Sequence, residues 1–290
     1  MNRVLKIIVC IVASFAVIVG AGFALGKGIS YIIENVDSDI EWIDSNYDYD
    51  DFDYYDYSDK GIFISLDKAE LNVVVGDSLK VETDSPYITH YVSENSLIVK
   101  EVSEINDKRK YDVVITIPKD MVFENGYIST GSNKMNFERL EVKKLFLHLD
   151  LGNINFDYLV VSDRVDIDGD FGRLTVNDGY LNTLDCELEE AEITMKTFLM
   201  GSAYVDIEKG YLKYDILHAE GDTDRHVFDV SKDTGIVMID GVEVENGKFG
   251  SGDDTFEVEV DEANCTITFS AGKMPDIDDI KVQDDTKSNV

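Results

Sequence analysis

Gly152-Asn-Ile-Asn-Phe156 indicates the architecture of this chain, because its frame returns at regular intervals. In this frame a small residue is followed by two alternate apolar side chains, and alternation predicts a strand with one buried face. The copies are Gly172-Arg-Leu-Thr-Val176, Ala191-Glu-Ile-Thr-Met195 and Gly210-Tyr-Leu-Lys-Tyr214. Counted from Met135/Phe137, the apolar pairs step by 19, 20, 19 and 19 residues. A constant period near twenty predicts a stacked solenoid of β-strands.

A second series of apolar pairs keeps the same interval, so each repeat contains at least two strands. Its members are Leu145/Leu147, Val165/Ile167, Leu184/Cys186 and Ala203/Val205. We expect the first series to be buried in parallel, in-register rungs, since stacking buries a face that no single repeat can bury. That series is Met135, Phe137, Ile154, Phe156, Leu174, Val176, Ile193, Met195, Leu212 and Tyr214. We also expect the irregular first and last strands to cap the open edges of the stack.

The chain divides into four segments by composition. Residues 1–28 form a candidate transmembrane anchor, and residues 29–60 form an acidic juxtamembrane stalk rich in Asp and Tyr. Short alternating strands begin near Gly61, and the all-β domain is expected to extend over residues 61–274, interrupted by a loop at Glu220–Arg225. Residues 275–290 form an acidic tail that is expected to be disordered.

The charge of the chain excludes several classes of partner. The formal net charge is −33. Nucleic acids and anionic lipid surfaces bind clusters of Lys and Arg, and no such cluster occurs here. Hydrophobic residues make up 44% of the chain, so the acidity is a property of the surface of a folded protein.

The N-terminal segment favours a single membrane span. Ile7 to Leu25 contains no charged residue, and about twenty apolar residues suffice for a helix to cross a bilayer. Arg3 and Lys6 precede it, which places the N-terminus in the cytoplasm and the C-terminal domain outside the cell membrane. A cleaved signal peptide is the alternative, although its apolar region would be shorter.

Two further features leave alternatives open. The acidic segment from Tyr47 to Tyr57 is either a solvated stalk or an arm that binds a cation or a partner. Cys186 and Cys265 occupy inward strand positions and are interpreted as small core residues, with a disulfide between them as the alternative.

Three features of the sequence are characteristic together: the strand Val113-Val-Ile-Thr-Ile-Pro-Lys119, the repeated Gly-x-apolar-x-apolar rungs, and the ending Gly235-Ile-Val-Met-Ile-Asp-Gly241 followed by the Gly250-Ser-Gly252 loop. In these features the chain resembles the bacterial "putative adhesin" family. This resemblance covers about Gly61 to Gly272. It implies a β-helix-like domain of unknown function behind a single membrane span, in a cell-envelope setting.

No catalytic, cofactor-binding or metal-binding residues are predicted. The four histidines are widely spaced, and no nucleophile elbow, phosphate loop or paired-cysteine motif occurs. Asp166 to Asp170 fails as a calcium loop because Arg164 and Thr175 would stand where acidic ligands are needed.

The repeat interval does bring acidic residues together. It stacks His148, Asp168, Glu187 and Asp206 in one outward column, with Asp166 above Asp185 beside it. Carboxylates on adjacent strands repel each other. Either water and salt screen them, or a divalent cation binds weakly between the rungs.

These features favour a non-enzymatic, membrane-anchored extracellular module for binding or envelope sensing, adhesin-like and without a cofactor, whose partner is an unknown component of the envelope or surface. Two alternatives are a structural spacer without a ligand and an enzyme that acts on wall polysaccharide.

Overall fold

The computed structural model describes residues 61–101, 110–219 and 226–274, all within the second of two compact units, Asp56–Val290. The predicted anchor (1–28), stalk (29–60), loop (220–225) and acidic tail (275–290) lie outside the described residues. In the described ranges, no helix is long and apolar enough to cross a membrane.

The described residues form eighteen strands of one sheet, which confirms the all-β prediction for this part of the chain. The first nine are β1 (Gly61–Leu66), β2 (Glu70–Gly76), β3 (Lys80–Thr83), β4 (Ile88–Val92), β5 (Leu97–Glu101), β6 (Asp112–Pro118), β7 (Phe123–Thr130), β8 (Lys134–Phe137) and β9 (Leu140–Leu149). The others are β10 (Asn153–Phe156), β11 (Leu159–Val176), β12 (Gly179–Leu199), β13 (Ala203–His218), β14 (His226–Lys232), β15 (Ile236–Ile239), β16 (Val242–Val244), β17 (Gly247–Gly250) and β18 (Asp254–Ala271).

The repeated strands pair in parallel and in register, as the period predicts. Ile154 lies opposite Met135 on one side and Leu174 on the other, and the same column continues through Ile193 to Leu212. All ten residues of the first apolar series are buried, with exposed fractions of 2% or less. The hydrophobic core therefore runs along the stack as continuous inward columns, each rung covering the next.

Long strands carry both apolar series and bend at the corners between them. β11 holds Val165 as well as Leu174, and both residues pair with β12 in one register. A third inward column, which the sequence pattern did not reveal, lies near the N-terminal ends of β9, β11 and β12. It consists of Val142, Val161 and Leu181, which are in register and buried.

One corner of the stack is built from small residues. Gly172, Ala191, Gly210 and Ala263 lie in register on adjacent strands. Gly210 has a φ of +105°, and a Cβ at this position would collide with the carbonyl oxygen of Ala191. Glycine is therefore required where the backbone turns this closely against the neighbouring rung.

The order of the strands in the stack differs from their order in the chain. β1 lies between β5 and β7, while β2 lies between β6 and β8. At the other end, β18 lies between β13 and the pair formed by β14 and β15. The expectation that the first and last strands cap the stack is therefore wrong.

Four short antiparallel strands cap the stack instead. β3 and β4 pair with β6 and β5, whereas β16 and β17 pair with β15 and β14. These strands are largely exposed, while β1 is almost wholly buried. A strand with a fully apolar inner face buries more apolar surface between two neighbouring strands than beside one. The chain therefore folds back and leaves its most polar strands outermost.

A buried carboxylate holds one of these long-range junctions. Glu101, at the end of β5, accepts hydrogen bonds from the backbone N–H groups of Asp67, Lys68 and Ala69 at 2.9, 2.8 and 3.0 Å. These residues form the turn between β1 and β2. One carboxyl side chain thus satisfies three backbone donors and fixes the turn against β5.

Leu174→Ala is expected to lower the free energy of unfolding by about 2–5 kcal/mol, because it deletes a side chain from the middle of an inward column. Leu151→Ala is the matched control, since Leu151 is 57% exposed, and a change within about 0.5 kcal/mol is expected there. Urea unfolding of the two variants measures both values. Similar losses in both would contradict this assignment of the core.

Candidate functional site

The acidic column predicted from the repeat lies on the outer face of β9, β11, β12 and β13. His148 is opposite Asp168, Asp168 is opposite Glu187, and Glu187 is opposite Asp206. The structure extends the column to Glu259 on β18, which pairs with Asp206. We call these five residues the acid ladder.

Glu259 was missed because it is 53 residues from Asp206, far outside the repeat interval. The only signal in the sequence is local, namely that Glu257 and Glu259 alternate with the apolar residues of β18. This alternation places Glu259 on an outer face but does not identify the neighbouring strand.

His148 and Asp168 form the first step of the acid ladder. The Nδ1 atom of His148 lies 2.7 Å from Oδ1 of Asp168. This hydrogen bond raises the pKa of His148, although partial burial acts in the opposite direction. The nearby Asp150 and Asp170 also favour the protonated ring. One carboxylate of the column is therefore paired with an imidazole that protonates readily.

Arg164 neutralises the pair of aspartates beside the acid ladder. Its Nε contacts Oδ1 of Asp166, and its Nη2 lies 2.7 Å from Oδ2 of Asp185. Asp166 is only 4% exposed, so this carboxylate needs a counter-charge. The stacking of these two aspartates confirms the sequence-based register, and the cation between them is a side chain of the protein.

The part of the acid ladder from Glu187 to Glu259 carries excess negative charge. Burial raises the pKa of Glu187, and Asp185, Asp206 and Asp168 add to this increase. The pKa of Asp206 is raised by burial and by Asp261 and Glu208. Tyr204, on the same face, has a pKa raised to about 12 by burial and by the neighbouring carboxylates. In the described ranges, neither Glu187 nor Asp206 forms an ion pair with a basic side chain.

The acid ladder does not form a metal-binding cluster. Across the described part of the chain, no group of three or more His, Cys, Asp or Glu side chains has a geometry that could hold a metal ion. A strand contributes a single carboxylate per rung to the column, whereas calcium takes six to eight oxygen ligands. Weak binding of divalent cations therefore stays a prediction.

Both described cysteines lie in the core, as the sequence predicts, and their thiols are free. Burial raises the pKa of Cys265 to about 12 and also raises that of Cys186. Each thiol therefore remains protonated at neutral pH and is a poor nucleophile.

A stack of three aromatic rings continues the outward column that contains Asp166. Phe63, Tyr127 and Phe146 are in register, with centroids separated by 4.9 and 5.3 Å. Phe63 and Phe146 are buried. This half of the face is therefore apolar, and the acidic half begins at the rung of Asp166.

A second outer face carries a line of neutral polar side chains. Asn72, Asn136, Asn155, Thr175 and Thr194 lie in register on β2, β8, β10, β11 and β12. We call these five residues the amide–hydroxyl ladder. Three of them occupy the second variable position of the repeated frame, so the sequence contained this signal, although no role was assigned to it.

Hydrogen bonds between rungs orient the amides of this ladder. Nδ2 of Asn136 donates to Oδ1 of Asn72 at 3.1 Å. Nδ2 of Asn177 donates to Oδ1 of Asn155 at 3.3 Å and to Asp157 at 3.1 Å. Identical amides stack favourably because each is both donor and acceptor.

Two ion pairs lie beside the amide–hydroxyl ladder. Arg173 contacts Glu192 on the next rung, and Nζ of Lys196 lies 3.8 Å from a carboxylate oxygen of Asp215. The four charges of these two pairs balance each other, whereas Glu187 and Asp206 of the acid ladder lack such partners among the described residues.

Comparisons with known proteins give weak structural similarities. A putative cell adhesion protein from Clostridium sporogenes has a TM-score of 0.29 and 15% identity, over 73% of this chain and 93% of that protein. A putative adhesin from Bacteroides fragilis has a TM-score of 0.33 and 12% identity, over 73% of this chain and 92% of that protein. The chain matches no protein-family model and no curated protein. Similarity at this level carries no argument about activity.

The acid ladder is expected to make the fold more stable at pH 5.5 than at pH 8. The folded-state pKa values of Glu187 and Asp206 are raised, so the folded protein binds protons more readily than the unfolded chain when the pH falls towards the ordinary carboxyl range. The raised pKa of His148 acts in the same direction, since its stabilisation is lost as the pH rises through the folded-state value. Thermal melting at the two pH values tests this expectation.

Glu187→Gln should raise the melting temperature at pH 8 and reduce the difference between the two pH values. Glu189→Gln is the control, because it removes the same charge from the same strand at an exposed position outside the acid ladder. An equal effect of both substitutions would show that net charge, and not the column, determines the response.

Proposed function

We propose that this chain is a non-enzymatic binding module, anchored in the cell membrane by its N-terminal segment, with a β-solenoid domain outside the cell. We propose further that the amide–hydroxyl ladder contacts an extended polysaccharide of the envelope. The observation that carries the proposal is the row of five neutral hydrogen-bonding side chains on five adjacent strands.

The geometry of the ladder suits a long polymer better than a compact ligand. Adjacent strands are about 4.8 Å apart, so the ladder offers a donor or an acceptor at regular short steps along a straight line. A polysaccharide presents hydroxyl groups repeatedly along its length. Each contact is weak, but several contacts to one polymer add through high effective concentration.

The electrostatics of the face support the same partner. Arg173 pairs with Glu192 and Lys196 pairs with Asp215, so these four charges beside the ladder balance each other. A neutral or weakly charged polymer can therefore approach this face without the repulsion that the acid ladder would exert on an anion.

Two parts of the proposal rest on the sequence alone. The membrane anchor and the extracellular position of the domain depend on the apolar stretch from Ile7 to Leu25 and the basic residues before it. Weak binding of divalent cations at the acid ladder is proposed as a screening effect, without a dedicated site.

Replacement of Thr175 and Thr194 by Val is expected to weaken binding to purified, protein-free cell-wall polysaccharide about tenfold, since two hydrogen bonds of about 0.5–1.5 kcal/mol each are lost. Valine keeps the β-branched shape, so the fold should persist. Co-sedimentation of the full chain with the insoluble polysaccharide measures the affinity.

The matched control is Thr183→Val with Thr255→Val, which alters two threonines in the outward alternation of the strands that carry Glu187 and Glu259. Unchanged affinity is expected for this variant. No saturable binding by the parent protein would favour a spacer. Release of new reducing ends, lost in Glu187→Gln, would favour an enzyme.

The proposed topology predicts that protease added to intact cells digests the region after Lys27 and spares the first residues. Immunoblotting with tags at the two termini separates the fragments. A soluble secreted chain that begins near Leu25 would show that the segment is a cleaved signal peptide, and would overturn the anchor.

A further inference from the structure

β4 is an outermost strand whose exposure is unusual. Among the described strands it pairs only with β5, in antiparallel register from Ile88 opposite Glu101 to Val92 opposite Leu97. Its three central residues are exposed, and Tyr91 is 50% exposed. The backbone of its outer edge can therefore accept another strand.

The sequence of β4 lacks the charges that usually protect such an edge. Ile88-Thr-His-Tyr-Val92 contains no Asp, Glu, Lys or Arg, and the uncharged stretch extends from Ser85 to Ser93. The other three capping strands each carry charge, with Lys80 and Glu82 in β3, Glu243 in β16 and Lys248 in β17. Charged residues on edge strands prevent pairing between molecules, and β4 alone among these caps has none.

We propose that two copies of this chain pair through β4, antiparallel and about a two-fold axis at His90. A two-fold axis perpendicular to the sheet keeps inward residues beside inward residues, and only an axis at the central residue uses the full length of the strand. Ile88 then lies opposite Val92 of the second copy, Thr89 lies opposite Tyr91, and His90 lies opposite itself.

These cross-strand pairs are of favourable types. Two β-branched aliphatic residues pair at each end of the strand, and a threonine pairs with an aromatic ring between each end and the axis. Such pairs contribute to sheet stability, whereas like charges placed directly opposite each other are destabilising. The strand is therefore complementary to itself.

The charge of the chain explains why this partner is favoured at this position. With a formal charge of −33, two copies repel each other over most of their surfaces. The neutral stretch from Ser85 to Ser93 is where two copies can approach with little repulsion. This inference is independent of polysaccharide binding, which concerns the side of the stack and not its end.

Cysteine cross-linking in the full chain tests the pairing. In a Cys10→Ser background, His90→Cys should form an intermolecular disulfide under mild oxidation, since residues directly opposite in an antiparallel pair have Cα atoms about 4.5–5.5 Å apart, within the range of about 4.4–6.8 Å for disulfides. Cys186 and Cys265 are buried and should not react. Val242→Cys is the control, because Val242 is 63% exposed on the cap at the opposite end.

The expected result is that the His90 variant cross-links about tenfold faster than the Val242 variant, as proximity in a complex raises the effective concentration. Equal rates would indicate random collision and would overturn the proposal. Failure of the His90 variant to cross-link would also overturn it.

A charge series at Thr89 and Tyr91, in the His90→Cys background, tests the register. Thr89→Glu with Tyr91→Glu places like charges opposite each other twice and should abolish cross-linking, and so should Thr89→Lys with Tyr91→Lys, although it lowers the net negative charge. Thr89→Lys with Tyr91→Glu places opposite charges together and should retain cross-linking. Melting curves confirm that each variant is folded, and a response that follows net charge alone would refute the strand pairing.

Discussion

The structure depends on the parallel, in-register stacking of strands that cannot bury their own inner faces. Each rung contributes a short apolar row, and the row becomes core only when a second rung covers it. Leu174 illustrates this, since it lies between Ile154 and Ile193 and is 1% exposed. The small residues at the corner, such as Gly210, allow neighbouring rungs to approach closely enough to keep this register.

The same register imposes a cost on the outer faces, because whatever side chain one rung exposes lies against the side chain of the next. Amides tolerate this arrangement, and Asn136 bonds directly to Asn72. Carboxylates do not, so the protein places Arg164 between Asp166 and Asp185. Where no such cation is supplied, as at Glu187, the pKa is raised instead.

The ends of the stack show a second consequence of the same constraint. A stack of strands always has two open edges, and an apolar strand placed there would leave half of its contacts unmade. The chain places β1 and β18 two strands inside each end and leaves four short, more polar strands outermost. β4 differs from the other caps in having no charge, so electrostatic protection is missing from one edge only.

Two of the three inward columns and the register of neighbouring repeats could be predicted from the sequence, because these follow from local alternation and a constant interval. The same interval is sufficient to place His148 and Asp168 in one column, as the structure has them. Tertiary structure alone decided the partners of β1 and β18, the addition of Glu259 to the acid ladder and the bridge made by Arg164. The strand partners and Glu259 join segments that share no common period, and the Arg164 bridge depends on the direction of a side chain. The free energy that selects the strand partners comes from burial of apolar surface across the whole stack.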